Sequence, residues 1–244
     1  MVKQIRYVLH GVNLMKNTVS SEKFFKDEIP HNGNKFEEKV ENADYKIMKA
    51  EHIKAWKKMA DEENIYFDRE INNRLRGVSH MASLDIVLEK SEKQYTNDEK
   101  IELAERKNEY YKQLICELVP NDILPGVKKR LDDLKNAGIK IAIGSSSKNT
   151  PVILKQIGLE GYFDAVSDGN NIKNSKPDPE VFLKAAEMLG IEPENCLIVE
   201  DADAGIEAGH RANMKTLAVQ KAKGGDFFAE SLEHCDLVKL LENA

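Results

Sequence analysis

The sequence predicts an α/β protein that combines a parallel sheet, flanked by helices, with a separate helical region. Two observations predict this fold class. From residue 119 onward, short apolar runs rich in β-branched residues alternate with amphipathic segments, and several of these segments end at a glycine. Such alternation is typical of successive right-handed βαβ units. Between residues 50 and 118, apolar residues recur at three- and four-residue steps among lysine and glutamate, as in a small helical bundle.

The first 49 residues contain one predicted strand, the apolar run from Ile5 to Leu9. The polar stretch that follows has no dominant period, and residues 30–33 indicate a turn. In the helical region the first periodic segment includes Ile53, Trp56 and Met59. Its intervening lysines and glutamates predict solvated outer faces.

The last part of the chain supplies the remaining elements. Predicted helices span 127–137, 151–157, 179–189 and 204–212. Predicted strands span 139–143, 162–166, 196–199 and 214–219. Glycines 138, 158 and 190 stand where helices commonly end.

The composition is typical of a globular protein. Of the 244 residues, 41% are hydrophobic and 32% are charged, which is close to average usage. The chain has no apolar run of about 18 residues that could span a membrane, and its N-terminus is too polar for a secretory signal. The net charge of −6 argues against a nucleic-acid partner. We therefore expect a cytoplasmic monomer with neither membrane nor nucleic-acid partners.

Ligands of open parallel sheets bind beyond the carboxyl ends of the strands, so the residues after each predicted strand are candidates for a site. Residues 144–149, which read GSSSKN, follow the strand 139–143. Hydroxyl groups and helix N–H groups there could bind phosphate oxygens, and Lys148 adds positive charge. The alternative is a serine-rich helix N-cap.

Two later loops add charged groups at the same predicted edge. Lys176, which two prolines follow closely, could neutralise charge on a transferring phosphoryl group; the alternative is a surface lysine before a helix. Glu200 and Asp201 follow a buried strand, where Mg²⁺ would compensate their charge; the alternative is an acidic helix N-terminus. Taken together, the three loops predict Mg²⁺-assisted phosphoryl transfer.

In this order, the segments 145–149 (SSSKN), 175–179 (SKPDP) and 199–206 (VEDADAGI) resemble three motifs of the haloacid dehalogenase superfamily. The resemblance implies a Rossmann-like core with a helical cap inserted after the first strand. It divides the chain into a core of residues 1–15 and 119–244, an unmatched insert of residues 16–49, and a helical cap of residues 50–118. It also implies catalytic and metal-binding roles for four residues: Ser145 binds the transferring phosphoryl group, Lys176 stabilises its charge, and Glu200 and Asp201 hold Mg²⁺.

Within the superfamily, the helical region resembles that of the β-phosphoglucomutases, which interconvert β-glucose 1-phosphate and glucose 6-phosphate through a bisphosphate. The resemblance rests on residues 52–57, 76–84 and 106–108. It implies that His52 links cap closure to catalysis. It further implies that the substrate, a small phosphosugar, contacts Trp56, Arg76, Gly77, Ser83, Lys107, Ser147, Lys148 and Asn149. Without it, Trp56 would be a packing residue and the charged residues a solvated surface.

Two departures from this pattern bear on activity. His80 stands where the family pattern suggests an arginine, whose planar fork suits phosphate better than an imidazole. The larger departure is in the first motif, Asp-x-Asp-Gly, whose first aspartate attacks phosphorus and whose second moves a proton. Here the corresponding segment is 7–12 (YVLHGV), with Val8 and His10 at those two positions. Val8 has no nucleophilic atom, whereas His10 could move a proton.

Several interpretations therefore remain open. The chain could be a β-phosphoglucomutase-type mutase, a sugar-phosphate phosphatase on the same scaffold, or an inactive relative that binds sugar phosphates. The first motif could be lost, replaced along with the N-terminal segment as by a frameshift, or substituted by chemistry at His10. A nucleotide-binding module lacks support, because the chain has neither a GxGxxG segment nor a P-loop.

Overall fold

The computed structural model describes residues 7–10, 47–75, 79–220 and 222–242. Six strands form one sheet in the order β3-β2-β1-β4-β5-β6, and every neighbouring pair is parallel. The strands are β1 (Tyr7–His10), β2 (Lys140–Gly144), β3 (Ala165–Ser167), β4 (Cys196–Glu200), β5 (Lys215–Val219) and β6 (Phe227–Ala229). This order is that of a doubly wound, Rossmann-like sheet, so the predicted fold class is confirmed.

Nine α-helices lie within the described residues, and the first four of them form the helical region. These four are α1 (Ile47–Glu62), α2 (Arg69–Arg74), α3 (His80–Leu88) and α4 (Asn97–Ile115). The remaining helices are α5 (Val127–Asn136), α6 (Thr150–Gln156), α7 (Glu180–Leu189), α8 (Asp203–Arg211) and α9 (Leu237–Glu242). The helical region, residues 47–118, thus follows the first strand of the sheet. None of the helices described has the length and apolar character needed to cross a lipid bilayer.

Both faces of the sheet are covered by helices. One face presents alternate residues such as Ile141, Ile143 and Val199, and α5, α6 and α9 pack on it. The opposite face presents Ala142 and Ile198 to α7 and α8. Because strands with both faces covered are buried on each side, β2 and β4 are almost uniformly apolar in sequence.

The helical region has a core of its own. Trp56 and Met59 of α1 pack with Leu84 of α3 and Leu103 of α4, and all four side chains are fully or nearly fully buried. The N-terminus of α4 is stabilised by a capping box, in which the Thr96 hydroxyl accepts from the Glu99 N–H and the Glu99 carboxylate accepts from the Thr96 N–H.

Three elements differ from the sequence prediction. The strand predicted at 162–166 is observed at Ala165–Ser167, because the Asp164 carboxylate accepts the N–H of Ile141 and replaces a strand-to-strand hydrogen bond there. The aromatic ring of Tyr162 instead packs edge-on against Phe163. Strand β6 and helix α9 were not predicted, since elements this short carry little periodic signal.

The strand order determines where the functional loops meet. In register, His10 of β1 lies between Ile143 of β2 and Val199 of β4. Ser145 and Asp201 therefore begin the loops on either side of the end of β1. We call the carboxyl ends of β1, β2, β3 and β4, together with the loops that follow them, the carboxyl edge.

Candidate active site

The loop after β2 is held in shape by its own serines. The N–H of Ser145 donates to the Ser167 carbonyl of β3, at 3.0 Å. The Ser145 hydroxyl oxygen accepts from the Ser147 N–H at 3.2 Å, and the Ser147 hydroxyl oxygen accepts from the Asn149 N–H at 3.1 Å. Because both hydroxyls accept in these bonds, their own protons are available to donate to an anion.

Two glycines allow close approach around this loop. A β-carbon on Gly144 would lie 2.6 Å from the Phe182 ring of α7, and one on Gly169 would lie 2.6 Å from the Ser146 carbonyl oxygen. Real β-carbons essentially never come so near. Gly169 thus brings the loop after β3 against the loop that carries Lys148.

Lys176 and Glu200 form a buried ion pair. The Lys176 ammonium donates to a Glu200 carboxylate oxygen at 2.8 Å, and the two side chains are 8% and 3% exposed. The ammonium also lies 4.6 Å from the centre of the Phe182 ring. Burying two charges is costly, so such a pair is weak evidence for stability by itself. Its position at the carboxyl edge favours a functional role.

Glu200 is an unusual carboxylate. Burial is the main cause that raises its pKa to about 7; the neighbouring charge of Asp201 adds to the rise, and Lys176 opposes it. One carboxylate oxygen accepts weakly from the N–H groups of Asp201 and Ala202, each at 3.3 Å. A β-carbon at Gly205 would lie 2.2 Å from Glu200, so that glycine makes room for the carboxylate.

This donor set fits Mg²⁺. The ion is commonly held by one or two carboxylates, with water and substrate phosphate completing its oxygen shell. Glu200 and Asp201 are such a pair, and the raised pKa of Glu200 indicates that Lys176 offsets its charge only in part. In the part of the chain that is described, no group of three or more histidine, cysteine or acidic side chains could hold a metal ion. Water and substrate phosphate would therefore have to supply the remaining ligands.

A second group of candidate residues lies in the helical region. Trp56 is fully buried, and its indole N–H has no hydrogen-bond partner. The Lys107 ammonium lies 4.6 Å from the Trp56 ring centre and 5.0 Å from that of Tyr111. Lys107 is only 1% exposed, and this burial lowers its pKa to about 7. Trp56 therefore packs in the core of the helical region, and this packing is compatible with a contact between its ring and the substrate.

His80, at the start of α3, joins this second group. Its ring centre lies 5.5 Å from that of Trp56. The residue as a whole remains exposed, yet desolvation against its neighbours, followed by the charges of Lys107 and Lys148, lowers the pKa of its imidazole. Lys148 of the serine loop therefore lies close enough to His80 for their charges to interact. Ser83, one turn further along α3, is 3% exposed.

A direct contact joins the two groups. The side-chain amide of Asn149 donates to that of Asn108 on α4 at 2.9 Å. Asn149 is 7% exposed, so this bond lies in the closed interface between the helical region and the loop after β2. No contact is seen between the Trp56–Lys107 group and the Lys176–Glu200 pair within the described residues.

Four predicted site residues fall where the structure does not describe them. Arg76 and Gly77 lie outside the described residues. His10 lies in β1 and His52 in α1, but their side chains lie outside what is described. Their predicted roles therefore stay predictions, as does the role of the insert 16–49.

Sequence reasoning missed three residues that shape the site. Phe182 supports Lys176, Gly205 accommodates Glu200, and Asn108 contacts Asn149. A glycine in the first turn of a helix was a visible signal for Gly205, because helix interiors disfavour glycine. No local signal distinguishes Phe182 from an ordinary helix residue, whereas Asn108 lies in the segment 106–108 that carries the family resemblance.

Comparison with known proteins places these features in a family. Residues 48–219 match the family model described as haloacid dehalogenase-like hydrolase. The β-phosphoglucomutase of Bacillus subtilis is 45% identical over 170 residues, which are 69% of this chain and 75% of that protein. The phosphorylated carbohydrates phosphatase of Thermotoga maritima is 29% identical over 168 residues, 68% of this chain and 76% of that protein.

A solved structure extends the similarity to the fold. The crystal structure of a β-phosphoglucomutase from Clostridium difficile superposes with a TM-score of 0.77 at 32% identity, covering 100% of this chain and 98% of that one. The family match begins at residue 48, so the segment that holds Val8 and His10 lies outside it.

Proposed function

Because this chain belongs to the haloacid dehalogenase-like hydrolase family and is similar to a β-phosphoglucomutase over two thirds of its length, we propose that it is a β-phosphoglucomutase-type enzyme. The reaction that we propose for this scaffold interconverts β-glucose 1-phosphate and glucose 6-phosphate through a bisphosphate, and it is impaired in this copy because Val8 stands at the position of the attacking carboxylate. A sugar-phosphate phosphatase is the second candidate, favoured by the similarity to the Thermotoga phosphatase.

One observation carries the proposal. The Lys176–Glu200 pair is buried at the carboxyl edge, where the fold class binds ligands. The Phe182 ring lies against both Lys176 and Gly144, the residue before Ser145. A buried, hydrogen-bonded ammonium is suited to hold a phosphoryl group whose charge grows during transfer. The Ser145 hydroxyl, with its proton available, is suited to donate to an oxygen of the same group.

Glu200 and Asp201 would hold Mg²⁺. When bound, the ion would neutralise phosphate charge and align the transferring group. Lys176 would keep its hydrogen bond to Glu200 and so hold one carboxylate oxygen in place. The phosphoryl group would be held between this pair and the serine loop.

The helical region would hold the rest of the phosphosugar. Lys148 and Lys107 supply positive charge, and Trp56 supplies an apolar wall with an unpaired N–H. Ser147 and Asn149 would contact the sugar phosphate from the core side. Ser83, Arg76 and Gly77 would contribute to substrate specificity, and His52 would couple closure to transfer.

The phosphoryl acceptor is the missing component. Val8 lies in the central strand, in register with Ile141 and Leu197, and its side chain has no atom that could attack phosphorus. We propose that His10 serves in proton transfer and that turnover by the family mechanism requires a carboxylate at position 8. Without it, the scaffold would bind sugar phosphates and not turn them over.

A coupled assay tests this function. The protein would receive β-glucose 1-phosphate, Mg²⁺ and the bisphosphate, with glucose 6-phosphate as readout. We expect the double variant Val8→Asp/His10→Asp to exceed the parent by at least about 100-fold, since loss of a catalytic nucleophile can lower kcat by about 10⁶-fold. The further change Lys176→Ala should abolish that gain, as should EDTA.

Lys173→Ala is the matched control, because Lys173 is an exposed lysine on the same loop and should leave the rate unchanged. Release of inorganic phosphate without glucose 6-phosphate would support the phosphatase instead. A double variant that binds glucose 6-phosphate but gains no activity of either kind would reject both enzyme proposals.

A further inference from the structure

The face of α4 that meets the α/β region changes from apolar to polar along its length. Ile115 and Tyr111 are buried in the same cluster as Val127 and Ile141 of the α/β region. Asn108 lies three residues before Tyr111, which places it on the same face of the helix. Asn108 is thus the next residue of this contact face toward the serine loop, beyond the apolar part.

The partner of Asn108 is a residue whose backbone is already fixed. The N–H of Asn149 donates to the Ser147 hydroxyl, and Thr150 donates to the Ser147 carbonyl at 2.8 Å. The Asn149 side chain nevertheless retains rotation about its own bonds. Its hydrogen bond to Asn108, at 2.9 Å, is the contact that determines which way its amide points.

The hydrogen bond to Asn108 leaves one proton of the Asn149 amide free to donate to a ligand. An amide nitrogen carries two protons, and Asn108 takes one of those on Asn149. The second proton then points away from Asn108, and its direction is set by the planar amide. Both partners are neutral, so the bond contributes modestly and the helical region can separate from the core to admit substrate.

We infer that Asn108 is a positioning residue, which orients the Asn149 amide toward the phosphate of the bound sugar and holds the helical region over the serine loop. This inference rests on the proposed function, because it takes Asn149 as a contact of the sugar phosphate. It extends that function by one residue that touches no substrate.

A double-mutant cycle on the affinity for glucose 6-phosphate tests the inference. We expect Asn108→Ala to raise the Kd by about two- to tenfold, as for loss of one neutral hydrogen bond. Asn149→Ala should raise it by about tenfold or more, because a hydrogen bond to a charged group is stronger. The double variant should bind no more weakly than Asn149→Ala, since Asn108 acts only through Asn149.

Gln113→Ala is the matched control, since it removes a neutral amide from an exposed position of α4 and should leave the Kd unchanged. Thermal unfolding of each variant separates positioning from folding: a positioning role changes the Kd without a matching loss of Tm. Asn149→Ser replaces Asn149→Ala in the cycle if the alanine variant unfolds.

Additive effects in the cycle, or an unchanged Kd in Asn108→Ala, would overturn the inference and leave the proposed function standing. A non-additive cycle, together with a double variant Val8→Asp/His10→Asp that gains no turnover, would support the inference and reject the mutase. A parent chain that binds neither glucose 6-phosphate nor inorganic phosphate would overturn both.

Discussion

Burial sets the ionisation of Lys107 and Glu200, and it shifts their pKa values in opposite directions. It lowers the pKa of the Lys107 ammonium to about 7 and raises the pKa of the Glu200 carboxyl to about 7, because in each case the charged form is poorly solvated. Both groups lie at positions where we expect an anion and a cation to bind. Ligand charge would thus restore the ionised form of each side chain.

For Lys107 this has a consequence for stability. Its ordinary pKa is about 10.4 in an unfolded chain, against about 7 in the folded protein. Between these values the unfolded chain binds the proton and the folded protein does not, so the free energy of unfolding rises with pH. The slope from this group approaches about 1.4 kcal/mol per pH unit in the middle of that window.

We predict that Lys107→Met removes this slope. The variant should be more stable than the parent near neutral pH, and the difference should shrink as pH rises from 7 toward 10. Chemical denaturation of both proteins at several pH values measures it. A difference independent of pH would show that Lys107 keeps its charge when the protein folds.

At the scale of single elements, α4 is the helix on which the most depends. It carries Lys107 toward Trp56, Asn108 toward the serine loop and Ile115 into the core of the α/β region. Its N-terminus lies three turns away from Lys107 and is held by the capping box of Thr96 and Glu99. The residues that stabilise the N-terminus of α4 therefore lie at a different part of the helix from Lys107 and Asn108, to which we assign roles in ligand binding.

We predict that Thr96→Ala lowers the free energy of unfolding by about 1 kcal/mol, the usual cost of losing a helix cap. The Tm should fall by about 2–4 °C, while the Kd for glucose 6-phosphate stays unchanged. Thr96→Ser, which keeps the hydroxyl, is the control and should resemble the parent. A weaker Kd in Thr96→Ala would show that the cap and the binding face are coupled.

At the scale of the whole molecule, the short strand β1 holds the sheet together. It pairs with β2 on one side and β4 on the other, whereas the family match begins only at residue 48. The central strand of the sheet therefore lies outside the segment that matches the family model. Without it, β2 and β4 would expose unpaired backbone groups in the middle of the sheet.

We predict that a chain beginning at residue 47 does not fold cooperatively. Circular dichroism should show residual helix, chiefly from the helical region, without a sharp thermal transition. The full chain should show one transition under the same conditions. A truncated chain with the Tm of the full one would mean that β1 contributes little to the sheet.

Much of the fold was predictable from local patterns. The apolar runs 139–143 and 196–199 predict buried strands, because parallel strands covered on both faces are apolar throughout, and the observed strands Lys140–Gly144 and Cys196–Glu200 confirm this prediction. The helix at 179–189 was similarly marked by its apolar period and by Gly190. The strand near Tyr162 was misplaced because its aromatic residues serve packing, not pairing.

The sequence alone determined the fold class, the order of the functional loops along the chain and the chemical types they contribute: hydroxyls, a lysine and two carboxylates. These depend on local periodicity and on residue chemistry, which a sequence displays directly. The tertiary structure decided that Lys176 pairs with Glu200, that Phe182 lies beneath Lys176, and that Asn108 contacts Asn149. Those contacts join residues far apart in the chain, and their strength depends on burial, which exists only once the chain has folded.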